Sequence, residues 1–108
     1  MAAKHSEKLP KHYRRLNERH PALMEAVQAL GKTVQEMGPL DSKTVRLVQL
    51  AGAAAAYSTG SVQSHARRAL EAGATREEIE HAIISLTSTI GFPNVAAALD
   101  WVHDALKD

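Results

Sequence analysis

Residues 51–56 read Ala-Gly-Ala-Ala-Ala-Ala, and no other stretch limits the fold as much. They end a segment, Lys43–Tyr57, whose first half places Val45, Leu47, Val48 and Leu50 at helical spacing. A helix that is small on every face lets neighbouring backbones come close. That placement suits the middle of a helical bundle or a subunit interface better than a sheet. The scarcity of aromatics agrees, with one Trp, two Tyr and one Phe in 108 residues.

The flanking segments carry helix punctuation. Pro10 can open a short helix and Pro21 a second, in which Leu23, Ala26, Val27, Leu30, Val34 and Met37 recur at helical spacing before Gly38 and Pro39 stop it. Asp41 or Ser42 can cap the small-residue helix. Ser58-Thr59-Gly60 interrupts it. Gly60 suits a positive φ there, and Ser58 or Ser61 can cap the next helix, which Gly73 ends. Thr75 with Glu78 forms a capping-box pattern, and the helix it opens is expected to run through Ile79, Ile83 and Leu86 to Gly91. Pro93 opens a last helix with Val95, Ala98, Leu99, Val102 and Leu106 on one face. No strand alternation survives. The expectation is an all-α, single-domain bundle of about five or six helices over residues 1–108.

The chain contains no cysteine, which removes disulfides, thiolate catalysis and cysteine-held metals. No apolar run reaches the ~18 residues of a membrane span, and the N-terminus has no signal-peptide core. A soluble cytoplasmic protein with no membrane partner is expected. Residues 1–20 hold six Lys/Arg against two Glu, a basic arm or short helix, and residues 21–108 hold seven Lys/Arg against ten Asp/Glu. No nucleic-acid motif accompanies the arm, so no nucleic-acid partner is expected.

From Lys43 to Leu99 the pattern becomes specific. "KTVRLVQLAGAAAAYSTGSVQSHARRALEAGATREEIEHAI" followed by "GFPNVAAAL" resembles the carboxymuconolactone decarboxylase family, which includes the alkylhydroperoxidase D-like proteins. The resemblance implies an all-α subunit that assembles with itself into trimers or hexamers. The peroxidase branch of that family carries a CxxC pair, a histidine four residues later and a glutamate one helix earlier. On this chain the pair falls at Ser58 and Ser61, the histidine at His65 and the glutamate at Arg46. Serine cannot form a disulfide, and a guanidinium cannot accept a proton. The peroxidase reaction of that branch therefore lacks its reactive groups here.

Arg46, Ser58, Ser61 and His65 thus mark the pocket positions that the resemblance implies. Three functions compete. One is an unassigned small-molecule activity or binding role at those four residues, for which a small carboxylated ligand fits Arg46. The second is a lactone decarboxylase, with Arg46 holding a carboxylate and His65 moving a proton. The third is a non-catalytic oligomeric binding or structural protein. Ser61 and His65 can share a helix face, yet no oriented acid or oxyanion hole is evident, so helix capping and packing account for them better than a nucleophile and base. Glu78 with His81, and Asp100 with His103, have the spacing of a carboxylate–histidine metal motif. The further inward glutamates are missing, and neither a metal nor a cofactor is expected. Trp101 reads as core or interface.

Overall fold

The computed structural model describes residues 11–107. Residues 1–10, half of the expected basic arm, lie outside the described residues. The chain divides into two compact units, residues 1–37 and 38–108. The described helices follow the order read from the punctuation, with one further turn at Thr87–Ile90, and no strand occurs among the described residues.

The first unit holds α1 (Lys11–Arg19) and α2 (Pro21–Glu36). Pro21 stands in the first turn of α2, where its missing N–H leaves no bond unmade. Gly38, at φ 71°, follows the helix end. Met24 is the buried residue of α2. The expected apolar face instead lies open: Leu23 is 56% exposed, Leu30 65% and Met37 74%. A 3.6-residue period specifies that a face is apolar, not what covers it.

The second unit is built from α3 (Ser42–Ala55), α4 (Thr59–Glu71), α5 (Arg76–Ile84), the single turn α6 (Thr87–Ile90) and α7 (Phe92–Leu106). Its core joins Leu50, Ala53 and Ala54 of α3 to Val62, Ala66 and Ala69 of α4, Ile79 and Ile83 of α5, and Val95, Ala98, Val102 and Leu106 of α7. Both α3 and α4 turn alanines into this core, so little side-chain bulk separates them there. Only part of that stretch turns inward: Ala53 and Ala54 are buried, while Gly52, Ala55 and Ala56 are exposed.

The helix ends follow local chemistry. Asp41, not Ser42, caps α3, its Oδ1 accepting from the Thr44 amide at 2.8 Å. The capping box of α5 is complete. The Glu78 amide donates to Thr75 Oγ1 at 3.0 Å, and the Thr75 amide donates to Glu78 Oε1 at 2.9 Å. Gly73 takes φ 100° after α4.

Two details differ from the sequence expectation. The positive φ between α3 and α4 falls on Tyr57, at 57°, and Gly60 lies inside α4. Tyr57 stacks edge-on against Trp101 of α7, ring centroids 5.1 Å apart, a contact that offsets the strain of a left-handed tyrosine. The helix opened by Thr75 also stops at Ile84 instead of continuing to Gly91. Ser85 Oγ donates to the Ala82 carbonyl at 2.8 Å, and Thr87 Oγ1 to the Ile84 carbonyl at 2.6 Å. These side chains offer the backbone alternatives to the helical ladder exactly where apolar periodicity alone would carry it on.

Candidate functional site

α3 and α4 form an antiparallel pair about the turn at Tyr57. Arg46 and Arg68 lie at equal sequence distance from Tyr57, and so do Gln49 and His65. Counting from that turn puts Arg46 and Arg68 at matching heights along the pair, with Gln49 and His65 about a helical turn nearer the loop. Arg46 Nη1 donates to Gln49 Oε1 at 3.2 Å, which holds the guanidinium along α3.

His65 is half-buried, and its Nδ1 is covered with no hydrogen-bond partner among the described residues. An unpaired buried acceptor is easier to tolerate than an unpaired buried N–H. The ring is thus best served by carrying its proton on Nε2. Burial is the largest cause pushing the His65 pKa below its usual value, and the charges of Arg68 and then Arg46 push it further down. The imidazole is therefore neutral at pH 7. Arg46 is itself pushed down, first by burial and then by Arg68, against a smaller opposite pull from Glu71. A guanidinium starts so high that it stays charged.

Of the four residues expected at the site, Arg46 and His65 are linked, the charge of Arg46 pushing the His65 pKa down. Ser58 precedes α4 at its N-cap position without a side-chain capping bond, and Ser61 lies in the first turn. Among the described residues no hydrogen bond joins Ser61 to His65, so the pair is not arranged as nucleophile and base. The capping roles considered for the two serines are likewise not taken up by their side chains. Arg68 and Glu71 were missed. Their signal was available: Arg68 follows His65 by three residues, so a helical α4 puts both on one face.

The carboxylate–histidine pairs are engaged elsewhere or apart. Glu78 Oε2 accepts from Lys43 Nζ at 3.0 Å while Oε1 completes the capping box. The Thr75 amide, then Lys43, hold its carboxyl below the usual range. His81, Asp100 and His103 are exposed. No group of three metal-ligating side chains occurs among the described residues. Trp101 is half-buried and packs against the core, and its carbonyl accepts from Gln63 Nε2 at 3.3 Å, tying α7 to α4. No described helix is long and apolar enough to cross a membrane.

The sequence profile of the carboxymuconolactone decarboxylase family matches residues 21–104, most of the chain and parts of both units. The chain belongs to this family. Among solved structures it is similar to apo-lpg0406, a carboxymuconolactone decarboxylase family protein from Legionella pneumophila. The TM-score is 0.74 at 26% identity, and the match covers 89% of this chain and 88% of that one. No curated protein matches the sequence. Family membership fits the helix order and the glycine–proline turn before α7. The family's redox cysteines have no counterpart in this chain.

Proposed function

We propose that this family member binds a small carboxylated molecule on the α3–α4 face, without thiol peroxidase activity. The observation that carries the reading is the half-buried His65, whose covered Nδ1 has no hydrogen-bond partner among the described residues, with Arg68 and Arg46 near enough to push its pKa below the usual value. A guanidinium offers two parallel N–H groups to a carboxylate, and a neutral imidazole adds a third donor without adding charge to neutralise. Ser58 and Ser61 would line the approach from the start of α4. The same groups suit a lyase of the lactone decarboxylase type: Arg46 would hold the carboxylate that leaves as carbon dioxide, and His65 would return the proton to carbon. The lowered pKa of His65 counts against this variant, because returning a proton to carbon calls for an imidazolium, which a ring titrating below its usual value holds sparingly at pH 7.

Calorimetry with succinate tests the reading. The expected result is saturable binding that weakens about tenfold or more in His65→Ala, the loss of one good hydrogen bond to a charged group. Absence of binding by the intact protein would contradict it. Peroxide should persist in the presence of the protein and a dithiol reductant; its consumption would refute the absence of peroxidase activity.

We also infer that residues 1–108 act as one family domain and that the subunit is homo-oligomeric. The open apolar face of α2 supports self-association, since runs of exposed Leu, Val and Met on one face are uncommon on a monomer. Light scattering is expected to give a multiple of the 11.7 kDa chain mass, and a monomer at micromolar concentration would argue against it.

A further inference from the structure

We propose that Tyr57 and Trp101 form a latch, through which α7 holds the α3–α4 turn and, with it, the first turn of α4. The latch stands apart from the carboxylate reading. Only its consequence for Ser58 and Ser61, which that reading places on the approach to the site, rests on it.

The end of α4 supplies an internal comparison. There the Gly73 amide donates to the Leu70 carbonyl at 3.1 Å and the Ala74 amide to the Ala69 carbonyl at 3.0 Å. At the end of α3 the Tyr57 amide donates to the Ala54 carbonyl at 3.0 Å and the Ser58 amide to the Ala53 carbonyl at 3.2 Å. The two bond patterns are the same, and each closes around one left-handed residue, Gly73 at φ 100° and Tyr57 at φ 57°. Glycine takes that conformation at little cost because it has no Cβ. Tyrosine has one, and among the described residues Tyr57 is the one non-glycine residue at positive φ.

The end of α3 has a further contact that accounts for the difference. The Tyr57 ring meets Trp101 edge-on, centroids 5.1 Å apart and planes at 74°. Trp101 is itself held: it is half-buried, packs against the core, and its carbonyl accepts from Gln63 Nε2 at 3.3 Å. An aromatic pair in this geometry gives back about as much as a left-handed residue with a Cβ costs. The turn therefore rests on a near balance of strain and contact, and α7 supplies the contact. Tyr57 is 57% exposed, so no enclosing wall keeps its ring in place. When the ring leaves Trp101, Tyr57 relaxes out of the left-handed region and the Ser58 amide parts from Ala53. Ser58 also accepts the first bond of α4, from the Val62 amide at 2.9 Å, so the start of α4 loosens with it.

Amide hydrogen exchange tests the latch without any ligand, so its outcome does not depend on the carboxylate reading. Tyr57→Ala removes the ring and keeps the Cβ, whereas Tyr57→Gly removes both ring and strain. The Ser58 and Val62 amides are expected to exchange about three- to tenfold faster in Tyr57→Ala and in Trp101→Leu, the worth of the aromatic pair. They should stay protected in Tyr57→Gly. Tyr57→Gly added to Trp101→Leu should restore their protection, which a mere packing role for Trp101 would not allow. The Ala74 amide, in the matching glycine turn, should be unmoved throughout. Unchanged Ser58 exchange in Tyr57→Ala, equal loosening at Ala74, or no restoration in the double variant would overturn the latch. If Trp101→Leu does not fold, the contrast between Tyr57→Ala and Tyr57→Gly decides alone, and equal exchange in those two would overturn it.

Discussion

Ile79→Ala is expected to lower the stability of the second unit by about 2–5 kcal/mol, the range for removing a large aliphatic side chain from a packed core. Ile79 is 0% exposed and sits where α5 meets the shared core of α3, α4 and α7. Alanine at that position recovers a few tenths of a kcal/mol of helix propensity, far less than the loss. The surrounding residues cannot readily fill the gap, because Thr75 and Glu78 pin the start of α5 and Lys43 ties Glu78 to α3. The same substitution at Ile84, on the same helix but 47% exposed, should shift stability by no more than about half a kcal/mol. Urea denaturation reads both. The midpoint should fall sharply for Ile79→Ala with an unchanged slope, and hardly move for Ile84→Ala. Equal shifts would mean that Ile79 is not packed in the shared core as described.

Arg46→Glu is expected to abolish measurable carboxylate binding, a loss of at least about a hundredfold, since it removes one guanidinium and places a like charge where the ligand carboxylate would sit. It should also raise the His65 pKa above that of the intact protein, because a depressing positive charge becomes an elevating negative one. The sign for stability follows. In the intact protein the folded-state pKa of His65 lies below the unfolded value of about 6.5, so the unfolded chain takes up the proton first. This contribution is neutral above that pH and destabilising as pH falls from about 6.5 towards the lower folded value. Arg46→Glu should shrink the acid-side loss. NMR titration of the His65 ring protons checks the pKa direction, and denaturation midpoints across the same pH window check the stability. An unchanged His65 titration would show that Arg46 does not act on that ring.

Much of the architecture was legible in short polar signals. Asp41 and the Thr75–Glu78 pair mark helix starts because their side chains satisfy amides that have no helical partner, and such chemistry is entirely local. Gly73 marks an end for the same local reason. The small-residue stretch reads as the middle of a bundle or a subunit interface, and Ala53 and Ala54 of α3 do enter the core. The departures from expectation have different causes, one long-range and one local. Tyr57, not Gly60, takes the left-handed turn because Trp101, far along the chain, gives its ring a contact. The break after Ile84 comes from Ser85 and Thr87 bonding to carbonyls, which apolar periodicity does not register. The apolar pattern of α2 was read correctly as a pattern, but burial depends on what packs against it.

The site divides in the same way. His65 and Arg46 stand out once the family resemblance is set beside the chain, because they occupy positions where that family places reactive groups. Arg68 does not, since in sequence it is one of two adjacent arginines in a charged stretch. Only the pairing of α3 with α4 brings its charge within reach of Arg46.

The central claim is that His65 meets a small carboxylate beside Arg46. Its most direct test is the nitrogen chemical shifts of the His65 ring in the 15N-labelled protein, followed while succinate is added at pH 7. The expected starting state is a neutral ring with the proton on Nε2. Succinate should then move the His65 nitrogens saturably, and Arg46→Gln should remove that response. A His65 ring that stays unmoved while succinate saturates resonances elsewhere, or that is already protonated at pH 7, would contradict the account.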